Sequence, residues 1–338
     1  MLAPMQQRTR VTINDVARTA GVSVATVSKV INGRYGVAVA TSAKVQEVID
    51  DLGYESSLVA RSLRSARTNV VGVLVSEFEP FSTELLKGIS GAMAGTGYEL
   101  LAYSGGGRAG GAVGWERRYL SRLSGTLIDG AILVTPTVVD ADSQIPVVAV
   151  DPHTGPSGLP TVDSDNMRGA VLATEHLLAL GHRRIGFLGG RPDLESARLR
   201  EEGYRVALRN AGITPDPSLM RVGGYKQETA DQPAHDLLTM ADRPTAVFAA
   251  NDLSAIGTMH VARSLGLSVP DDLSVIGFDN VPESVMTTPP LTTINQPIRR
   301  MGAEAIELLI GLMNGTAGPS THITLPTDLV ERGTCRAL

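Results

Sequence analysis

One cysteine, Cys335, stands in a chain of 338 residues. A lone thiol forms no intrachain disulfide and no thiolate metal cluster, and usage this sparing implies a reducing cytoplasm. The six histidines offer no His-x-x-x-His or His-Glu-x-x-His spacing. His176 and His182 are six apart, a poor ligand pair, so no metal site is expected. Long apolar runs are missing as well: Val70–Val75 is far short of the roughly 20 residues that a membrane helix needs. Met1–Arg10 holds no apolar stretch of the signal-peptide kind, so neither membrane nor export is expected. Catalytic constellations are equally scarce. Gly88-Ile89-Ser90-Gly91 falls short of a nucleophile elbow because its second glycine comes one position early. Charged residues make up 19% of the chain, and the net charge of −5, taken whole, argues against a nucleic-acid binder.

Divided along the chain, that charge reads differently. Residues 1–68 carry nine basic side chains against five acidic ones, a surplus of four; the remainder has 21 against 30, a deficit of nine. A basic head on an acidic body is the asymmetry expected when one end meets phosphate. The length suits about two domains at roughly 150 residues each.

The head predicts three short helices. Thr12-Ile13-Asn14-Asp15 is a capping-box-like start, Ile13, Val16, Ala17 and Ala20 recur at helical spacing, and Gly21 ends the helix. Ser23 caps a second helix with an inner face of Val27, Val30 and Ile31, stopped by Asn32-Gly33. Thr41 is the expected cap of a third, with Val45, Val48, Ile49 and Leu52 inward and Gly53 closing it. Two helices around a short Gly turn are a helix-turn-helix signature, although a plain three-helix packing module fits the same pattern. The outer face of the second helix carries Val24, Ala25, Ser28 and Lys29, with Thr26 beside its start. Lys29 is suited to guanine O6 or N7, and Val24 and Ala25 to thymine methyls. Thr12, Ser23 and Asn32 complete the expected DNA-facing set.

Four segments carry a family resemblance: Val11-Thr12-Ile13-Asn14-Asp15-Val16-Ala17, Ala20-Gly21-Val22-Ser23-Val24-Ala25-Thr26-Val27-Ser28, Leu52-Gly53-Tyr54 and Ala60-Arg61-Ser62-Leu63-Arg64. Here the sequence resembles the LacI/GalR family of transcriptional regulators, over nearly its whole length. The resemblance implies a hinge helix that enters the minor groove, with Leu63 as the apolar wedge that kinks DNA and Ala60 and Arg64 as its groove neighbours. Where the family often has Pro-Asn, this chain has Ser56-Ser57, of which Ser57 still suits an N-cap.

From Val70 onward, apolar strands alternate with amphipathic helices, which implies parallel sheets buried on both faces. The expected fold class is α/β: a three-helix head plus a two-lobed core of parallel sheets. The resemblance makes the core periplasmic-binding-protein-like, with three crossovers and an effector between the lobes. The expected divisions are a head at 1–54, a hinge at 55–69 and a core at 70–338. Within the core, one lobe takes about 70–164 and 298–323, and the other about 165–297 and 324–338.

Ligands of doubly wound folds sit beyond the carboxyl ends of strands. Phe81, Asp151, Asn251 and Asp279 follow predicted strands, and Ser196, Arg198 and Arg200 open a helix. The resemblance matches Asp151, Arg200, Asn251 and Asp279 to positions that hydrogen-bond an effector, and Phe81 and Tyr225 to aromatic positions that flank it. Carboxylate, guanidinium and amide around an aromatic wall suit a small sugar or sugar derivative; a nucleobase or nucleoside is the alternative. Other roles fit these residues one by one: Asp151 and Asp279 as turn caps, Arg200 in an ion pair between lobes, Phe81 and Tyr225 as core. Gly105-x-Gly107-x-x-Gly110, with Asp129 further on, satisfies a dinucleotide fingerprint and makes a hydride-transferring enzyme the rival class. The fingerprint belongs after the first strand of its sheet, and here it follows the second. The expectation is therefore a cytoplasmic repressor without enzymatic activity or cofactor. A homodimer would read pseudo-palindromic double-stranded operator DNA, each recognition helix in a major groove.

Overall fold

A computed structural model describes residues 11–31, 35–54, 67–105, 114–137, 143–155 and 158–338. Asn32, the hinge residues Ala60, Leu63 and Arg64, and the glycines from Gly106 to Gly111 lie outside the described residues. The chain divides into two units, Met1–Thr68 and Asn69–Leu338.

The first unit holds helices α1 (Ile13–Ala20), α2 (Val24–Ile31) and α3 (Val39–Leu52). The Asp15 carboxylate accepts the Thr12 amide at 2.9 Å and the Thr12 hydroxyl at 2.7 Å, which ties down the first turn of α1. Gly21 then takes a left-handed φ of 69°, and the Val22 amide donates back to the Ala17 carbonyl at 3.0 Å. The Ser23 hydroxyl accepts the Thr26 amide at 3.1 Å and caps α2. Val16, Ala17, Ala20, Val27 and Val45 are buried together, with Val30, Ile31, Val48, Ile49 and Leu52 packed around them. One expectation fails: α3 starts a turn early, with Ala38 in the cap position and Thr41 inside the helix. Ala38 and Ala40 carry no polar group that competes with the backbone, so the helix runs past the threonine, and the Ser42 amide closes on the Ala38 carbonyl at 2.9 Å.

The second unit contains two six-stranded sheets. The first has the order β2-β1-β3-β4-β5-β11, from β1 (Val70–Val75), β2 (Glu99–Ser104), β3 (Gly130–Val134), β4 (Val147–Val150), β5 (Thr161–Ser164) and β11 (His322–Leu325), all parallel. The second has the order β7-β6-β8-β9-β10-β12, from β6 (Ile185–Gly189), β7 (Met220–Val222), β8 (Ala246–Ala249), β9 (Ser274–Asp279), β10 (Thr292–Asn295) and β12 (Asp328–Val330). In it only the β10–β12 pair is antiparallel. The helices are α4 (Pro80–Ala92), α5 (Trp115–Leu123), α6 (Asn166–Ala179), α7 (Glu195–Asn210), α8 (Gln227–Leu238), α9 (Asp252–Ser264) and α10 (Ile298–Met313). The chain crosses between the sheets after β5, after β10 and after β11, the last time at Pro326–Thr327.

Burial on both faces explains the unbroken apolar strands. Val247, Ala249 and Val275 join a core under α8 and α9, while their neighbours Ala246, Phe248, Ile276 and Phe278 join a core under α6 and α7. In the first lobe α4 lies against α10, and a Cβ at Gly88 would sit 1.9 Å from the Arg299 carbonyl oxygen. Gly88, in the segment that falls short of a nucleophile elbow, serves close helix packing. No described helix is long and apolar enough to cross a membrane.

Candidate functional site

The carboxyl ends of both sheets face one cavity of about 320 Å³. Its walls come from residues at or just beyond strand ends: Ser76 and Glu77 after β1, Thr135 after β3, Asp151 after β4, Asn251 after β8, Asp279 ending β9 and Gln296 after β10. Four of the non-glycine lining residues hold a positive φ: Thr135 (48°), Asp151 (48°), Tyr225 (69°) and Asp279 (110°). Non-glycine residues adopt this region at a cost of about 1–3 kcal/mol each, and such strain gathers where side chains must be aimed.

The centre of the cavity is a buried ion pair. Arg200 Nη1 lies 3.3 Å from Asp279 Oδ1 and donates to the Ala250 carbonyl at 2.5 Å, while its Nε donates to Asn166 Oδ1 at 2.9 Å. The guanidinium lies over the Phe278 ring at 3.8 Å and over the Tyr225 ring at 5.6 Å. Burial pushes the Asp279 carboxyl up to about 6, against the pull of Arg200 and the Gln296 amide. Asp151 is raised for the same reason, opposed by Arg200 and the Ser196 side chain. Burial works against the charge on Arg200, but Tyr225, Asp279 and Asp151 outweigh it and raise its pKa. The guanidinium is therefore a fixed cation beside carboxyls of adjustable charge. Burial also lifts the Tyr225 phenol to about 12, so it stays a neutral hydroxyl.

A second buried carboxylate supports the first. Asp252, fully buried at the start of α9, accepts the Thr293 hydroxyl at 2.5 Å and the Val281 amide at 2.9 Å, holding the loop that leaves β9 just after Asp279. Burial and the nearby Asp279 charge raise its pKa well above the ordinary carboxylate value. Polar ties that cross between the lobes include Lys226 Nζ to Glu77 Oε2 at 2.5 Å, His153 Nδ1 to Asp193 Oδ2 at 3.3 Å, and the Glu195 amide donating to the His153 carbonyl at 2.9 Å.

Phe81, Asp151, Ser196, Arg200, Tyr225, Asn251 and Asp279 thus line a common cavity. Arg200 does form an ion pair, although within the second lobe rather than between lobes. Asn251 doubles as the cap of α9: its Oδ1 accepts the Ser254 amide at 3.0 Å, and its Nδ2 donates to the Tyr225 carbonyl at 2.9 Å. Phe81 is half-buried and also packs on the first lobe's core. Arg198 requires a correction. It lies two residues before Arg200 on a helix, a spacing that turns it to another face, where it pairs with Glu195 and lines a separate cleft with Arg205 and Arg221. Gln296, Glu77, Glu79, His153, Arg191 and Lys226 also line the cavity, and Asn166 holds Arg200; none of these is among the residues expected from the sequence. The strand-end rule that found Asp279 applies equally to Gln296, the residue after β10.

In the head, Val24, Ala25 and Lys29 of α2 are exposed, Thr26 and Ser28 are half-buried, and Val27 is fully buried between them. A helix with one apolar anchor and an open, weakly charged outer face can enter a groove without unpacking its own core. Among the described residues no group of His, Cys, Asp and Glu could hold a metal ion.

Comparison with known proteins agrees with this arrangement. Residues 12–57 match the family model for bacterial regulatory proteins of the lacI family, and residues 174–335 match the periplasmic binding protein-like domain. The HTH-type transcriptional repressor PurR of Vibrio atlanticus (strain LGP32) is 35% identical over 335 residues, covering 97% of this chain and 99% of that protein. A lac repressor dimer bound to operator and the anti-inducer ONPF superposes with a TM-score of 0.85 at 30% identity, over 97% of this chain and all of the other. The transcriptional regulator CelR in complex with cellobiose gives a TM-score of 0.72 at 31% identity, over 96% of this chain and all of the other. The glycine pattern at Gly105 follows β2, an edge strand, and these relatives are regulators rather than dinucleotide enzymes. The chain belongs to the LacI family of bacterial regulatory proteins: it is a DNA-binding transcriptional repressor, not an enzyme.

Proposed function

We propose that the cavity between the two lobes binds a small sugar or sugar derivative, and that this effector sets the affinity of the repressor for its operator. The observation that carries the reading is the Arg200–Asp279 pair, which presents a fixed cation from a helix and a hydrogen-bond-accepting carboxylate at a strained strand end. Asp151, Asn251 and Ser196 add acceptors and donors of the kind that match ring hydroxyls, with Phe81 and Tyr225 as the apolar walls. A structural neighbour of the same fold holds cellobiose, which supports a saccharide. Aromatic groups in the lining also favour a flat nucleobase or nucleoside, which is the second reading.

DNA contacts are assigned to Thr12, Ser23, Val24, Ala25, Thr26, Ser28, Lys29 and Asn32 of the head, and to Ala60, Leu63 and Arg64 of the hinge. Two copies of the chain would pair so that two heads read a pseudo-palindrome inside the cell, on the nucleoid. A thermal-shift panel of pentoses, hexoses, cellobiose, nucleobases and nucleosides tests the effector, since a tight ligand raises the unfolding midpoint by mass action. Stabilisation by sugars alone is the expected result; stabilisation by nucleobases alone overturns the saccharide. Enrichment of a palindrome from random DNA by the full-length protein tests the reader, and failure to enrich one overturns it.

A further inference from the structure

Five buried residues, joined by four side-chain links and closed at the Ser164 main-chain carbonyl, form a hydrogen-bonded ring that spans both lobes. The Ser164 hydroxyl donates to Gln296 Oε1 at 2.7 Å, and Gln296 Nε2 donates to Asp279 Oδ1 at 2.7 Å. Asp279 pairs with Arg200 at 3.3 Å, and Arg200 Nε donates to Asn166 Oδ1 at 2.9 Å. Asn166 Nδ2 returns to the Ser164 carbonyl at 3.1 Å, which completes the circuit. All five residues are at most 7% exposed. Their positions in the chain give the ring its meaning. Ser164 ends the last strand of the first lobe before the chain crosses, and Asn166 opens the first helix of the second lobe. Gln296 sits in the second crossing, between β10 and α10. The third crossing is tied to the first, because the Thr327 hydroxyl donates to the Asp165 carbonyl at 3.1 Å.

We propose that Ser164, Asn166 and Gln296 are positioning residues that couple the effector cleft to the interlobe crossings. They set how far an effector shifts operator affinity, and Ser164 and Asn166, which lie off the cavity wall, contribute little to how tightly the effector binds. The inference rests on the cleft assigned above as the effector site. A ligand that engages Asp279 or Arg200 competes with Gln296 and Asn166 for the same oxygen and guanidinium. Those two residues lie at the first and second crossings between the lobes. Ser164 and Asn166 lie off the cavity wall and are at most 3% exposed, so a partner lost there is not readily replaced by water and the circuit opens or holds as a unit.

Ser164→Ala is the sharpest variant, because Ser164 lies outside the cavity wall and its hydroxyl serves the ring alone. The full-length protein is titrated with the panel compound that gives the largest thermal shift, and operator affinity is measured with and without it on the selected palindrome. The expected result is a probe Kd within about threefold of the parent, while the ratio of operator affinities falls to within about twofold of unity. Retained coupling overturns the inference, and so does a parallel loss of probe affinity, which would make Ser164 part of the binding site. A ligand-free measurement separates the ring from the cleft. Hydrogen exchange at the Asp165 and Gln296 amides is expected to quicken about tenfold in Ser164→Ala and in Asn166→Ala, with the double variant no faster than either single one. Rates that multiply in the double variant mean independent contacts and overturn the ring. If no panel compound binds, the effector reading fails while the exchange result still decides the ring.

Discussion

Replacing Asp279 by asparagine should make the core more stable while weakening effector binding. Burial holds the Asp279 carboxyl at about 6, above its ordinary 3.8. Because the folded state binds this proton more tightly than the unfolded chain, ionisation disfavours folding as pH climbs through that interval. At 1.36 kcal/mol per pH unit, the charged form destabilises the core by about 3 kcal/mol above pH 6. The asparagine side chain of the variant would be neutral at every pH and nearly isosteric, with an amide oxygen still placed to accept from Arg200 and Gln296. Arg200 would keep the nearby Asp151 charge, its bonds to Asn166 and the Ala250 carbonyl, and its stack on Phe278. Asp279→Asn should therefore raise the core's unfolding temperature by roughly 6 °C at pH 7.5, taking about 2 °C per kcal/mol for a unit of this size. The gain should shrink as pH falls from 6 to 4 and vanish below. Effector affinity should fall about 10–100-fold, the worth of a hydrogen bond to a charged group. Scanning calorimetry of both proteins across pH 4–8 is the assay. A variant less stable than the parent at pH 7.5, or a difference that ignores pH, would refute the reasoning: the carboxylate would then be a structural asset rather than a functional burden.

Arg198→Ala should leave effector affinity within about twofold, whereas Arg200→Lys, which loses the forked geometry, should weaken it at least about tenfold by calorimetric titration. Gly190→Ala would set a Cβ 2.1 Å from the Tyr225 ring. Displacing that wall should destabilise the core by about 1–3 kcal/mol and lower effector affinity, and unchanged values in denaturant unfolding and titration would sink the packing argument. Lys29→Ala should cost about 1–3 kcal/mol of operator affinity and relax base preference at one position. Binding to a library of operator variants checks this, and a uniform loss at all positions would instead make Lys29 a phosphate contact.

The legible parts of this protein are those where one physical rule acts alone. Strands β1, β4, β6 and β9 are continuous apolar runs because helices cover both faces, so they announce themselves. Strands β5, β7, β11 and β12 escape a reading by apolar runs. Each has three or four residues and includes polar or charged ones; β7, β11 and β12 are sheet edges that pairing rather than burial defines, and β5, though buried, has Thr161, Asp163 and Ser164 among its four residues. Helix α8 hides behind Pro233, a helix breaker that is tolerated inside it. At the site, acids just after apolar strands are visible, while Asn166 is not, because the strand before it goes unseen. Arg198 and Arg200 look equivalent on paper; only the helical turn between them sends one into the cavity and the other away.

The left-handed strand ends bear on how a repressor of this kind changes its ligand over generations. Outside glycine, asparagine and aspartate enter that backbone region most readily, and bulky or β-branched side chains enter it poorly. Asp151 and Asp279 therefore sit where few replacements fold, and Thr135 and Tyr225 where the present residues are already costly. Leu194, Ser196, Phe81 and His153 line the same cavity with φ outside that region. Drift toward a new effector is thus channelled onto these neighbours, while the strand-end acids persist as a frame. Backbone geometry, set long before any ligand arrives, decides which letters of the cleft are free to vary.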